Sequence, residues 1–257
     1  MSALKTAPRK FYRSILFGLW LIIGVLLTII FLRSTIPPYG IASTIVKKWL
    51  GITSRIFGVK IKFYGNALPV KTLFVSNHIS WLDILILGSL IPIHFLSKHE
   101  VKDMPLFGWL ATRAGTLYIK RGKKNSASDA SSEITDALKQ QHNALIFAEG
   151  TTTDGHIKKF HSRLMQSAID ASATVQPIAI FYPLLNTKSN KLEVNPAALF
   201  TGNTTIGESY DLITRTATID VEVHFLKPID STGKTRDEIA LHAYDEVVDA
   251  IKEIKTR

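Results

Sequence analysis

The sequence predicts an α/β fold, a mostly parallel sheet flanked by helices, preceded by an N-terminal membrane-associated helix pair. Three observations predict it. From Val59 onward, short apolar runs of strand length alternate with helical stretches. Ile15 to Leu32 is a run without a charge. The positive charge is also confined: the first 62 residues hold ten basic side chains and no acid before Asp83, whereas the rest balances 21 basic against 21 acidic residues.

The chain has 257 residues, enough for one large domain with a full core. Hydrophobic residues make up 46% and charged residues 20%, a globular composition with a slight apolar excess. We expect residues 1–58 to form a membrane-anchoring segment and residues 59–257 a catalytic domain. A basic, apolar appendage suits an anionic membrane surface. No nucleic-acid signature accompanies it, so nucleic acid is not an expected partner. With no cysteine, disulfides, a cysteine nucleophile and thiolate metal sites are excluded.

The apolar run is about 27 Å long as a helix, close to the ~30 Å of a bilayer core. A cleaved signal would have a shorter apolar region and a small-residue cleavage site. Here Arg33 and then Pro37-Pro38 follow, so a retained helix is expected. Ile41 to Phe57 reads as a second helix, with Ile45, Trp49, Ile52 and Ile56 at helical spacing. It suits the membrane interface, or a core-facing position. Basic residues flank the apolar run on both sides, so one span and a re-entrant pair both stay open.

In the body, Val59, Ile61 and Phe63 alternate with lysines, as in a half-buried strand. Strands are further expected at Leu73–Val75, Phe95-Leu96, Gly115–Lys120, Ala144–Ala148, Thr174–Tyr182 and Thr218–Phe225. Helices are expected at Trp81–Leu90, Leu106–Arg113, Ser126–Gln141, His161–Ala171 and Thr235–Lys255. The last opens on Thr235 and Glu238 in capping-box spacing. Residues 184–215, rich in Asn, Thr, Ser and Gly, read as an insertion or long loop.

Four short blocks could carry chemistry. Asn77-His78-Ile79-Ser80-Trp81-Leu82-Asp83 lies where a buried strand gives way to a helix, the edge at which α/β sheets bind ligands. On a continuous helix, residues five apart point about 140° from each other. If His78 precedes the helix and Ser80 caps it, the chain can turn the imidazole onto Asp83. A carboxylate on one ring nitrogen fixes the tautomer and frees the other to take a proton. A plain helix cap is the structural alternative. The second block, Gly115 to Lys120-Arg121, ends a strand in cations, with Gly122, Lys123 and Lys124 behind it. An arginine fork matches phosphate oxygens. The third, Phe147-Ala148-Glu149-Gly150-Thr151, places a glycine where a backbone amide could serve a developing oxyanion. The fourth is Gln176-Pro177-Ile178-Ala179, a proline opening a buried strand, structural when taken alone.

In this order, over residues 70–180, the blocks resemble the glycerolipid acyltransferase family typified by lysophosphatidic acid acyltransferases. Ala148 stands where that family usually has proline, and Thr152 where it often has arginine. Thr151 to Gly155 and Phe160 to Leu164 are more similar to the branch that acylates lyso-ornithine lipids. The resemblance implies His78 and Asp83 as the catalytic pair and Arg121, with Lys120, at the acceptor's phosphate. It also implies a substrate pocket shaped by Glu149, Gly150 and Thr151 beside Asn77 and Ser80. The co-substrate would be acyl-CoA or acyl carrier protein, and neither a cofactor nor a metal is implied. The leading acceptor is lysophosphatidic acid, giving phosphatidic acid; lyso-ornithine lipid or another lysophospholipid is the alternative. A non-catalytic lipid-binding module at the membrane is the reading of another class, and Ser80 as a covalent nucleophile is the rival chemistry. The expected location is the cell membrane, with the site at its cytoplasmic face.

Overall fold

A computed structural model describes residues 6–32, 40–120 and 126–256. Two long helices come first, α1 (Thr6–Phe31) and α2 (Ile41–Ile56). β1 (Val59–Tyr64), β2 (Thr72–Ser76), α3 (Leu82–Leu90) and β3 (His94–Lys98) follow. The short α4 (His99–Lys102) and α5 (Phe107–Arg113) lead to β4 (Leu117–Ile119), α6 (Ser126–Lys139) and β5 (Ala144–Phe147). A 3-10 turn (Arg163–Met165) runs into α7 (Gln166–Asp170), where one continuous helix was expected. The chain ends with β6 (Thr174–Phe181), β7 (Pro183–Asn186), β8 (Lys191–Val194), α8 (Ile206–Arg215), β9 (Ile219–Phe225) and α9 (Arg236–Thr256).

Seven strands form one sheet in the order β1-β9-β6-β2-β5-β3-β4. Only the β6–β9 pair is antiparallel. The mostly parallel sheet expected from the alternation is therefore present, and the C-terminal ends of β2, β5, β3, β4 and β6 share one edge. Alternate residues of the strands face opposite layers. Leu73, Val75 and Ile146 pack with Ile134 of α6 and Val247 of α9. Phe74, Leu145 and Ile178 pack with Leu82 and Ile86 of α3 and Ile213 of α8. Both faces are covered, which is why β2 reads as an unbroken apolar run rather than an alternation.

Residues 184–215 are not one long loop. They hold the β7–β8 hairpin and α8, which opens on a capping box between Thr205 and Glu208. The capping box expected for α9 is present: Thr235 N donates to Glu238 Oε2 at 2.7 Å, and Glu238 N to Thr235 Oγ1 at 3.3 Å.

α1 has an eighteen-residue window of mean hydropathy 2.7, long and apolar enough to cross a membrane. Its start is tied to the body. Arg13 is buried, and its guanidinium donates to the carbonyls of Thr216 at 2.6 Å and Ala217 at 2.9 Å, where α8 ends. This places a cation on the negative end of a helix. Trp20 and Trp49 each donate an indole N–H to the other's carbonyl at 3.2 Å, locking α1 to α2. The crossing needs Gly24, because a Cβ there would lie 2.4 Å from Trp49 Nε1. Opposite that contact, Phe11, Ile15, Leu19, Ile22, Leu26 and Ile30 form an exposed apolar stripe. α2 packs between α1 and α3, so its inner face is a core face.

Candidate active site

The loop between β2 and α3 leaves the shared strand edge carrying Asn77 to Trp81. Asn77 is buried and fixes this loop to β6: its amide donates to the Ile180 carbonyl and accepts from the Ile180 amide, both at 2.9 Å. α3 begins only at Leu82, so the residue at its N-cap is Trp81 and not Ser80 as expected. Ser80 is fully buried, its Oγ accepting from the Leu82 amide at 3.3 Å. Asp83, in the first turn, folds back over the loop instead. Its Oδ2 accepts from the Ile79 amide at 2.8 Å and the Ser80 amide at 3.0 Å.

The same oxygen meets His78 Nδ1 at 2.7 Å. Because His78 precedes the helix, the five-residue spacing brings ring and acid together rather than 140° apart. The Asp83 side chain is fully buried and that of His78 is 15% exposed. Among the described residues, Nε2 of His78 has no hydrogen-bond partner. The Asp83 contact fixes the proton on Nδ1, so Nε2 carries the free lone pair. The second carboxylate oxygen of Asp83 accepts from the hydroxyl of Tyr182, the residue just after β6.

Glu149 follows β5 and is buried. Oε1 accepts from the His78 amide at 2.9 Å and Oε2 from the Lys158 amide at 2.8 Å. Burial raises its carboxyl above the ordinary value, and the two amides oppose that rise. Thr153 closes the other side, donating through N at 2.9 Å and Oγ1 at 3.3 Å to the His78 carbonyl. Phe147 stacks on the imidazole with ring centroids 3.7 Å apart and an interplanar angle of 10°.

Gly150 has φ +69°, and its amide donates to the Phe147 carbonyl at 3.0 Å, closing a tight turn. Gly150 and Thr151 are half-buried beside Glu149. Lys120 directly follows β4 and is exposed at the same strand edge. Arg121, with Gly122, Lys123 and Lys124, lies outside the described residues. His161 is exposed. His94 is buried, with Nδ1 2.5 Å from the Gly115 carbonyl, and burial lowers its pKa to about 4.

Phe147 in turn stacks on Phe95 at 6.4 Å, and Phe95 lines a cavity of about 260 Å³. The cavity lies between α1, α2, α3 and α5, with Thr28, Trp49, Leu85, Gly88 and Ala111 on its walls. The blocks singled out in sequence thus supply His78, Asp83, Glu149 and Asn77 to one place. Sequence reasoning missed Thr153 and Tyr182. For Tyr182 a signal existed: it ends the predicted strand Thr174–Tyr182 as a hydroxyl-bearing residue after an apolar run.

The family model of the acyltransferases matches residues 60–181. A lyso-ornithine lipid O-acyltransferase of Pseudomonas aeruginosa is 36% identical over 220 residues, covering 84% of this chain and 83% of that protein. A 1-acyl-sn-glycerol-3-phosphate acyltransferase of Neisseria gonorrhoeae is 34% identical over 115 residues, 44% of this chain and 45% of that protein. The crystal structure of the 1-acyl-sn-glycerophosphate acyltransferase PlsC from Thermotoga maritima superposes with a TM-score of 0.72 at 16% identity, covering 100% of this chain and 99% of that one.

Proposed function

The chain belongs to the acyltransferase family, and on that premise we propose that it esterifies a lyso-ornithine lipid from an acyl thioester, with His78 as general base. The observation that carries the base assignment is the 2.7 Å contact of His78 Nδ1 with buried Asp83, which leaves Nε2 free.

Nε2 takes the proton of the acceptor hydroxyl as its oxygen attacks the thioester carbonyl. The new C–O bond forms, the C–S bond breaks as the tetrahedral intermediate collapses, and the thiolate leaves with the proton from the imidazolium. Asp83 stabilises that imidazolium. The thioester is already activated, so no acyl-enzyme is required. Ser80 is a poor nucleophile here because it is buried away from any substrate. Asn77, Ser80 and Glu149 act on the loop that carries His78, while Gly150, Thr151, Lys120 and Arg121 are assigned to the acceptor side. The apolar cavity beyond Phe147 and Phe95 is assigned to the fatty acyl chain.

Two observations support lyso-ornithine lipid as acceptor. The relative of that activity aligns along most of both chains, and Thr151–Gly155 and Phe160–Leu164 resemble that branch. Lysophosphatidic acid is the second reading, favoured by the basic run Lys120–Lys124. The test gives the purified protein each lysolipid in mixed micelles with a labelled acyl thioester. We expect kcat/KM at least about tenfold higher on lyso-ornithine lipid, roughly 1.4 kcal/mol of discrimination. A preference for lysophosphatidic acid overturns this acceptor assignment. The donor is acyl-CoA or acyl carrier protein. Because both carriers are cytoplasmic, we place the site at the cytoplasmic face of the cell membrane, with α1 as the anchor.

Glu149 is assigned as a brace for the His78 backbone rather than as a proton carrier. Glu149→Gln keeps one acceptor oxygen and turns an NH2 toward the other amide. One buried amide is then unpaired, at about 1–3 kcal/mol. Thermal unfolding is expected to fall by about 2–4 °C per kcal/mol in a chain of this size. Turnover should drop by roughly tenfold as the loop loosens. Unchanged melting and turnover would contradict the brace.

A further inference from the structure

We propose that Tyr182 is a positioning residue for the acyl transfer: its hydroxyl holds one oxygen of Asp83 so that the other stays aimed at His78 Nδ1. The proposal rests on the reading of His78 as the base.

Asp83 is fully buried, and its two oxygens are held differently. Oδ2 receives His78 Nδ1, the Ile79 amide and the Ser80 amide, all from its own loop. Oδ1 receives the hydroxyl of Tyr182, the residue that follows β6, the strand beside β2. A carboxylate held only from its own loop moves with that loop. The hydroxyl anchors it to the sheet. Two residues earlier, inside β6, Ile180 is gripped through both amide and carbonyl by Asn77, next to His78. The C-terminal end of β6 thus registers the loop backbone through Ile180, and Asp83 through Tyr182 just beyond it.

The hydroxyl has no purely packing explanation. Tyr182 is fully buried among apolar side chains such as Phe74 and Ile180, where phenylalanine would fill the same space. A buried hydroxyl is retained where it has a partner, and the partner here is a carboxylate. Burial, and then the Asp83 charge, push the phenol well above its ordinary pKa, so it remains a donor throughout the working range. The titratable groups bonded to His78 or to its partner are Asp83, Tyr182 and Glu149, and the charge of Lys158 acts on Glu149.

The test is Tyr182→Phe in the full chain, with His78→Ala measured beside it. We expect kcat to fall about 10- to 100-fold, the range for losing a hydrogen bond to a charged group, with KM for both substrates within about twofold. With one donor fewer, the Asp83 charge is less delocalised and holds the imidazolium more tightly. The acidic limb of the kcat/KM–pH profile should therefore move to higher pH. A 3-fluorotyrosine at position 182 keeps the shape, strengthens the donor and should move the limb to lower pH; it also serves if the phenylalanine variant folds poorly. Wild-type kcat and an unmoved profile in both variants, with His78→Ala inactive, would overturn the role of Tyr182 alone. An active His78→Ala would overturn the base assignment and this proposal with it.

Discussion

His78→Ala is expected to lower kcat by about 10²–10⁴-fold, the range that a positioned general base supplies, while the protein stays folded. The ring adds little to stability, because the loop is held by other groups. The His78 amide is gripped by Glu149, its carbonyl by Thr153, and the flanking Asn77 by β6. Asp83 is different. Asp83→Asn keeps the size but exchanges one acceptor oxygen for an NH2 group. The remaining oxygen can keep the Ile79 and Ser80 amides and Nδ1, with the NH2 turned to the Tyr182 hydroxyl, but the negative charge that stabilises the imidazolium is gone. A comparable exchange in serine hydrolases costs about 10⁴ in kcat. Initial rates with a labelled thioester, beside circular dichroism and thermal melts, separate the two effects. His78→Ala should melt near wild type, and Asp83→Asn should melt lower. Near-normal turnover of His78→Ala would remove the base assignment.

How much of this was legible in the sequence depends on the range of the interactions. The His–Asp pair is local, so the strand-to-helix change at Val75–Trp81 sufficed to bring ring and acid together. The helix starts one residue later than a Ser80 cap requires: Asp83 bends back to the Ile79 and Ser80 amides, while Ser80 Oγ still meets the Leu82 amide. The holds on the loop were not legible. Asn77 meets Ile180 across 103 residues and Glu149 meets the His78 amide across 71, with no periodic pattern to announce either. α8 was missed for a different reason. Its buried face carries Ser209 and Thr214 beside Ile213, so it lacks the apolar stripe that marked α9. Its Thr205–Glu208 capping box was present in the sequence, hidden by the polar composition around it. α2 could be read as interfacial or core-facing because its apolar spacing serves either; Trp49 against Trp20 gives it a packed inner face.

Ala111→Phe is expected to change which acyl chains are transferred while leaving the transfer itself intact. Ala111 is half-buried on α5 and lines the same cavity as Trp49 and Leu85, beyond Phe95 and Phe147 from the imidazole. A phenyl ring there shortens the apolar space without touching His78, Asp83 or Glu149. Each methylene kept out of an apolar site forfeits about 0.8 kcal/mol. Excluding four of them costs roughly 3 kcal/mol, about two orders of magnitude in kcat/KM for long donors. Donors shorter by about that length should lose little, so the ratio of long- to short-chain kcat/KM becomes the readout. Uniform loss across all chain lengths would indicate a damaged fold, which a thermal melt would detect. An unchanged ratio with an intact fold would place the acyl chain elsewhere. The wall chosen matters: Gly88→Phe would narrow the same cavity, but a Cβ there already lies 2.5 Å from Leu50 Cδ1, so it would part α2 from α3. Ala111 lies on α5, away from the α2–α3 crossing, which makes it the cleaner probe of chain length.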